Sequence, residues 1–203
     1  MLAETELLHV AETYRLIAPP KGAVFVDMGC GIGEVSRLMS AMDRSAKFYG
    51  VTNCRAQVKE IIKRGSVTPL RSDYHSVVLV DGCADVVMFN ESIGYGDHDA
   101  LVREAARMLK DGGILFIKDF SADDGNEEAF INWGYRTLSI ENMGHILSSA
   151  GFEFKFHMPD INGKRYAEFY SASELMHSLH PSIQSTAKTT IWRCTKKEKS
   201  CLI

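Results

Sequence analysis

The sequence predicts an α/β domain built on a doubly wound, mostly parallel sheet of seven strands with helices on both faces. Three observations carry this reading. Short β-branched runs alternate with helical patterns from Ala23 onward, the mark of repeated βαβ units. The first, fourth and fifth runs are nearly all apolar, as central strands covered on both faces must be. The first run leads into "VDMGCGIGE", residues 26 to 34, whose glycines at alternate positions suit a sharp turn from strand to helix.

The expected strands are "AVFVD" (23–27), "KFYGV" (47–51), "VTPLR" (67–71), "ADVVMFN" (84–90), "GILFIKDF" (113–120), "FEFKFH" (152–157) and "TTIWRC" (189–194). Helices are expected over 4–17, 33–42, 56–63 and 140–150, the last closed by Gly151. "DHDALVREAARMLKDGG" gives the clearest helical signal. Leu101, Ala105, Met108 and Leu109 share one face, acidic residues lead in, and Gly112 suits a left-handed cap. After Met158 turn residues and aromatics mix, predicting an excursion with one short helix from Ala172 before the final strand.

No repeat or linker divides the 203 residues. They read as one domain: an N-terminal helix or lid (1–20), a core (23–158), and a C-terminal excursion with the final strand (159–203). A hydrophobic content of 45% can fill a sizeable core. No run approaches the roughly 18 apolar residues of a membrane span, and Met1 to Pro20 lacks a signal-peptide layout. Five cysteines, an odd set with no C-x-x-C pair, suggest neither a disulfide framework nor a zinc site. A cytoplasmic protein with reduced thiols and no metal is expected. A net charge of −3 argues against a surface made to follow a phosphate backbone, although "KKEK" near the C-terminus is locally basic.

A dinucleotide fingerprint would need G-x-G-x-x-G, but its last position here is Glu34, a charge placed badly beside a pyrophosphate. A P-loop needs a lysine after the glycines, and none comes before Lys47. What remains is D-x-G-x-G-x-G. This stretch resembles motif I of the class I S-adenosylmethionine-dependent methyltransferases, whose fold is Rossmann-like, and the likeness runs in order through roughly residues 20 to 158. The resemblance implies a last strand inserted antiparallel beside the fifth. It also implies S-adenosyl-L-methionine as cofactor and S-adenosyl-L-homocysteine as product, bound at Gly29, Cys30, Gly31 and Gly33. A bare backbone at Gly29 and Gly31 admits the methionine moiety, and its carboxylate faces the helix N-terminus at Gly33. Asp27 is expected to bond the turn's amides and favour the cationic end of the cofactor, or else only to hold the turn.

The second strand, in "YGVTNCRAQV", ends without the acidic residue that takes the ribose in most of the superfamily. It is similar instead to a segment of the branch holding cyclopropane fatty acid synthases and tocopherol and terpene C-methyltransferases. That likeness assigns cofactor binding to Thr52 and Gln57, with Asn53 as a further contact or a helix cap. Cys54 stands where that branch has serine. In "LRSDYHS", Asp73 and the amide of Tyr74 match the family's adenine contacts, while an aspartate in a turn also forms an Asx-turn unaided. Asn90, ending the fourth strand, joins the cofactor set.

"NESIGYGDH" follows that strand, and the resemblance places Glu91 beside the transferable methyl, where it stabilises positive charge, assists proton loss or orients the acceptor. Tyr95 is a candidate pocket wall and hydrogen-bond donor. His98 is a candidate proton acceptor, or simply a capping or exposed histidine. Phe130, Trp133, Tyr135 and Tyr166 line an acceptor cavity or pack the core. The expected substrate is a small terpenoid, lipid-like or amine acceptor. Two alternatives stand: a nucleic acid methyltransferase, against which "NESI" lacks the proline and aromatic of a base clamp, and a silent methyltransferase-like subunit. With a short N-terminus, either the substrate protrudes or a second copy or partner subunit closes the pocket.

Overall fold

The computed structural model describes residues 2–122, 134–157 and 187–198. In chain order these form α1 (Leu2–Ile17), β1 (Val24–Met28), α2 (Glu34–Met42), β2 (Lys47–Thr52), α3 (Arg55–Arg64), β3 (Thr68–Arg71), β4 (Ala84–Asn90), α4 (His98–Met108), β5 (Leu109–Ala122), α5 (Ile140–Ser149), β6 (Phe152–His157) and β7 (Ala187–Lys196). A 3-10 turn, Ile93–Tyr95, follows β4. The excursion after Met158 and its helix from Ala172 lie outside the described residues, as do Phe130, Trp133 and Tyr166.

The strands make one seven-stranded sheet in the order β3-β2-β1-β4-β5-β7-β6. β1 to β5 run parallel, and β7 enters antiparallel between β5 and β6. Successive side chains along a strand point to opposite faces, so an apolar strand feeds two cores. Val26, Met28, Val87 and Phe89 pack with Leu101, Ala105, Met108 and Leu147 of α4 and α5. Phe25, Val86 and Met88 pack with Val10, Ile17, Met39 and Ile61 of α1, α2 and α3. The chain moves outward from β1 in one direction through β2 and in the other through β4, and this switch point opens a crevice at their carboxyl ends.

Two local expectations fail. α4 ends at Met108, with Leu109 as C-cap, and Gly112 is not its cap. Leu109 is fully buried and pairs with Ala84, so the strand starts at once; the register then slips to Val86↔Ile114, and Gly112 takes φ 73° within that irregularity. At α3 the N-cap is Cys54, not Asn53, and no side chain caps it.

Candidate active site

β1 is apolar and central, so Asp27 at its end is carried into the interior. It is 2% exposed. The turn amides do not bond it, contrary to expectation: Gly29 N and Cys30 N both donate to the Val51 carbonyl, at 3.0 and 3.1 Å. The Ser36 hydroxyl of α2 donates to Asp27 instead, at 2.6 Å, and burial raises the Asp27 carboxyl to about 7. Asp27 therefore ties β1 to α2.

The three glycines all have left-handed backbones, with φ of 75°, 57° and 76° at Gly29, Gly31 and Gly33. A Cβ at Gly29 would lie 2.7 Å from that of Ser92, and one at Gly33 would crowd Ile61 at 3.2 Å. At Gly31 no atom of the described residues lies within 4 Å of an added Cβ. Packing within the protein thus demands the outer glycines, while the middle one faces open space. Ser92 also donates its hydroxyl to the Met28 carbonyl at 2.6 Å, locking the mouth of β4 to the end of β1. Cys30 packs its sulfur where a Cβ at Gly50 would stand, and burial raises its thiol. α2 begins at Glu34 behind Gly33 with no side-chain cap, so its first amides have no partner within the helix. The Glu34 carboxylate is held by Arg37 and Arg64.

At the end of β2, Thr52 donates to Gln57 Oε1 and accepts from the Cys54 amide at 3.1 Å, which joins the strand to the start of α3. Thr52 is buried and Asn53 is exposed. After β3, Asp73 Oδ1 accepts from the His75 amide at 2.9 Å, an Asx-turn, and bonds His75 Nδ1 at 2.8 Å. These bonds hold its carboxyl below the usual range. His75 Nε2 accepts from the Asp97 amide at 3.1 Å, so this imidazole bridges the β3 turn to the segment after β4. Tyr74 stacks on His75, and burial raises its phenol to about 12.

Asn90, half-buried, pairs in register with Lys118 of β5. Glu91 follows at φ 55°, an uncommon conformation for a side-chain-bearing residue. The surroundings impose it. Glu91 N donates to the Lys118 carbonyl at 2.8 Å, and the next two amides, Ser92 and Ile93, donate to Asp119 Oδ2 at 2.9 and 3.0 Å. Asp119 Oδ1 accepts from the Phe120 amide and from the Tyr135 hydroxyl, and burial raises this carboxyl to about 6. The Tyr135 ring occupies the space a side chain at Gly94 would need, and meets Tyr95 edge to face at 4.7 Å. His98 is neither exposed nor a cap. It is buried, its ring bonded to the Arg136 backbone; burial lowers its pKa, and Asp97 caps α4 by accepting from Ala100 N.

Gly94, Tyr95, Gly96 and Asp97 face Gly134, Tyr135 and Arg136 across a cavity of about 430 Å³. That volume falls within the range of small-molecule sites. The structure thus brings Glu91, Tyr95 and the glycine turn to one end of the sheet, and sends His98 into the packing behind it. Sequence reasoning missed Ser36, His75, Asp119 and the pairing of Lys118. A buried-strand aspartate in "GILFIKDF" was the available signal for Asp119. Among the described residues, no group of three or more His, Cys, Asp or Glu could hold a metal ion, and no helix is long and apolar enough to cross a membrane.

Residues 26–117 match the family described as a methyltransferase domain. A 2-methyl-6-phytyl-1,4-hydroquinone methyltransferase of Synechocystis sp. is 30% identical over 122 residues, 56% of this chain and 37% of that protein. In structure the chain is similar to the geranyl diphosphate C-methyltransferase of Streptomyces coelicolor, solved with S-adenosyl-L-homocysteine. The TM-score is 0.80 at 15% identity, over 94% of this chain and 77% of the other. It is similar also to the cyclase SpnF, with a TM-score of 0.77 at 20% identity, over 95% and 81% of the two chains. At these identities the structural likeness is one of fold. The chain spans 37% to 58% of the length of the curated relatives it matches.

Proposed function

We propose that this chain is a class I S-adenosylmethionine-dependent methyltransferase that transfers a methyl group to a small molecule held in the cavity between residues 94–97 and 134–136. The observation that carries the reading is Gly31. It lies in a left-handed turn at the switch point of the sheet, where a Cβ would meet no atom of the described residues, beside uncapped helix amides. This cradle fits the methionine end of the cofactor. Thr52, Gln57, Asp73 and the Tyr74 amide would take its nucleoside, with Asn53, Cys30 and Asn90 as further contacts. Asp27 acts through Ser36, at the start of α2, rather than by direct contact.

The cofactor, when bound, supplies an electrophilic methyl group on a sulfonium. Positioning then provides most of the catalysis. Glu91, fixed at the mouth of β4 by the amide bonds of its neighbours, presents negative charge to the reacting centre. There it orients the acceptor, faces positive charge developing on it, or takes the proton released. Tyr95 and Tyr135 form an aromatic wall. The acceptor class is terpenoid, lipid-like or amine, and five thiols without paired spacing favour a cytoplasmic setting.

The test is binding followed by turnover. S-adenosyl-L-homocysteine should bind the purified protein with release of heat, and methyl-labelled cofactor should pass label to a small-molecule acceptor. The fold also serves a cyclase, so binding without transfer to any acceptor would favour a different chemistry or a silent subunit. No binding would end the methyltransferase reading.

A further inference from the structure

We propose that the acceptor bears an anionic group, a carboxylate or a phosphate, and that the Arg136 guanidinium in the cavity wall selects it. The inference rests on the methyl-transfer reading of this site and names the class of substrate it takes.

The backbone of Arg136 is fixed on three sides. Its amide donates to the Gly94 carbonyl at 2.7 Å, and the buried His98 ring is bonded to its backbone. The preceding Tyr135 is anchored to Asp119 and seated against Gly94. A residue so held cannot withdraw from the cavity by a movement of its loop alone. Its side chain, however, is uncommitted. Arg37, Arg64, Arg103 and Arg107 pair with carboxylates, and Arg71 and Arg193 donate to carbonyls. Arg136 is exposed and has no hydrogen-bond or ion-pair acceptor for its guanidinium among the described residues.

Other charges in the wall do not take over this role. Asp97 has Oδ1 engaged at the start of α4. His98 does not line the cavity, and Arg136 is the cationic residue among those that do. A planar fork of donors on a rigid backbone, in a wall that also holds Tyr95 and Tyr135, suits two oxygens of one anion. The same feature disfavours an acceptor whose only charge is an ammonium.

Calorimetry on the full chain tests the proposal with benzoate, its neutral isostere benzamide and inorganic phosphate as probes, on wild type and Arg136→Gln. S-adenosyl-L-homocysteine is titrated first, on its own, and that result reports on the methyl-transfer reading separately. The expected result is that one of the anions binds wild type, benzamide does not, and Arg136→Gln weakens the anion about tenfold or more while leaving cofactor affinity unchanged. Whether benzoate or phosphate binds identifies the anion. Equal anion binding by wild type and Arg136→Gln, equal binding of benzoate and benzamide, or no binding of either anion would overturn the proposal.

Discussion

Glu91 Oε1 and Lys118 Nζ lie 3.7 Å apart across the adjacent carboxyl ends of β4 and β5, with the lysine side chain 6% exposed and the glutamate 34%. The sequence near Glu91 offers no cation, and the strand pairing Asn90↔Lys118 brings one from 27 positions away. Glu91 therefore has a structural partner as well as a place at the mouth of the site.

Replacing Glu91 with glutamine separates these roles. Volume is kept and charge removed, so kcat should fall about a hundredfold with little change in cofactor affinity. Glutamine still offers the buried Lys118 ammonium a side-chain oxygen at the same place, so Glu91→Gln should remain folded. A loss confined to KM would assign Glu91 to substrate positioning alone, and wild-type turnover would leave it the structural role only.

Stability should fall as pH rises from about 5 to 8. Burial raises the carboxyls of Asp27 and Asp119 from the ordinary 3.8 to about 7 and about 6. A folded pKa above the unfolded one means that the folded state holds the proton more tightly. The stabilisation is full below about pH 4 and is lost as pH rises through 6 and 7. Carboxylates such as Glu104, lowered by Arg107, act in the opposite sense below this window, and His9 and His98, lowered by burial from 6.5, oppose the decline only up to about that pH, so the fall is clearest above it. Thermal melts across pH should show the decline, and Asp27→Asn should flatten it. An unchanged slope in that variant would contradict the assignment.

Tyr135 and Gly94 form a contact that permits no added atom. A methyl group at Gly94 would overlap the Tyr135 ring, so Gly94→Ala should displace the wall of the cavity. Acceptor KM should rise at least tenfold while S-adenosyl-L-homocysteine affinity changes less than twofold, because the glycine turn lies on the far side of Ser92. Tyr135→Phe removes one donor from a buried carboxylate and should lower stability by about 1–2 kcal/mol. Melts and steady-state kinetics read both.

The parallel sheet was legible in the sequence because its central strands are buried on both faces, which makes "ADVVMFN" and "GILFIKDF" nearly all apolar. The glycine turn was legible for a similar local reason, since the left-handed conformations it requires select glycine. Contacts between distant segments were not. Glu91 with Lys118, Asp27 with Ser36, and Asp119 with Tyr135 each depend on how elements pack, and no local pattern records them. The end of α4 was misplaced because Gly112 carries the same positive φ in a strand irregularity as it would in a helix cap. Asn53 was misplaced as a cap by one residue, within the usual uncertainty of helix ends.

The open position at Gly31 is the centre of the account, and calorimetric titration of S-adenosyl-L-homocysteine into wild type and Gly31→Leu tests it most directly. No atom of the described residues lies within 4 Å of the new Cβ, so the variant should fold, with a backbone cost of about 1–2 kcal/mol at φ 57°. Gly31→Ala, melted alongside, carries the same backbone cost without the bulk. The account predicts binding to wild type and none to a folded Gly31→Leu. Unchanged affinity in the folded leucine variant would contradict it.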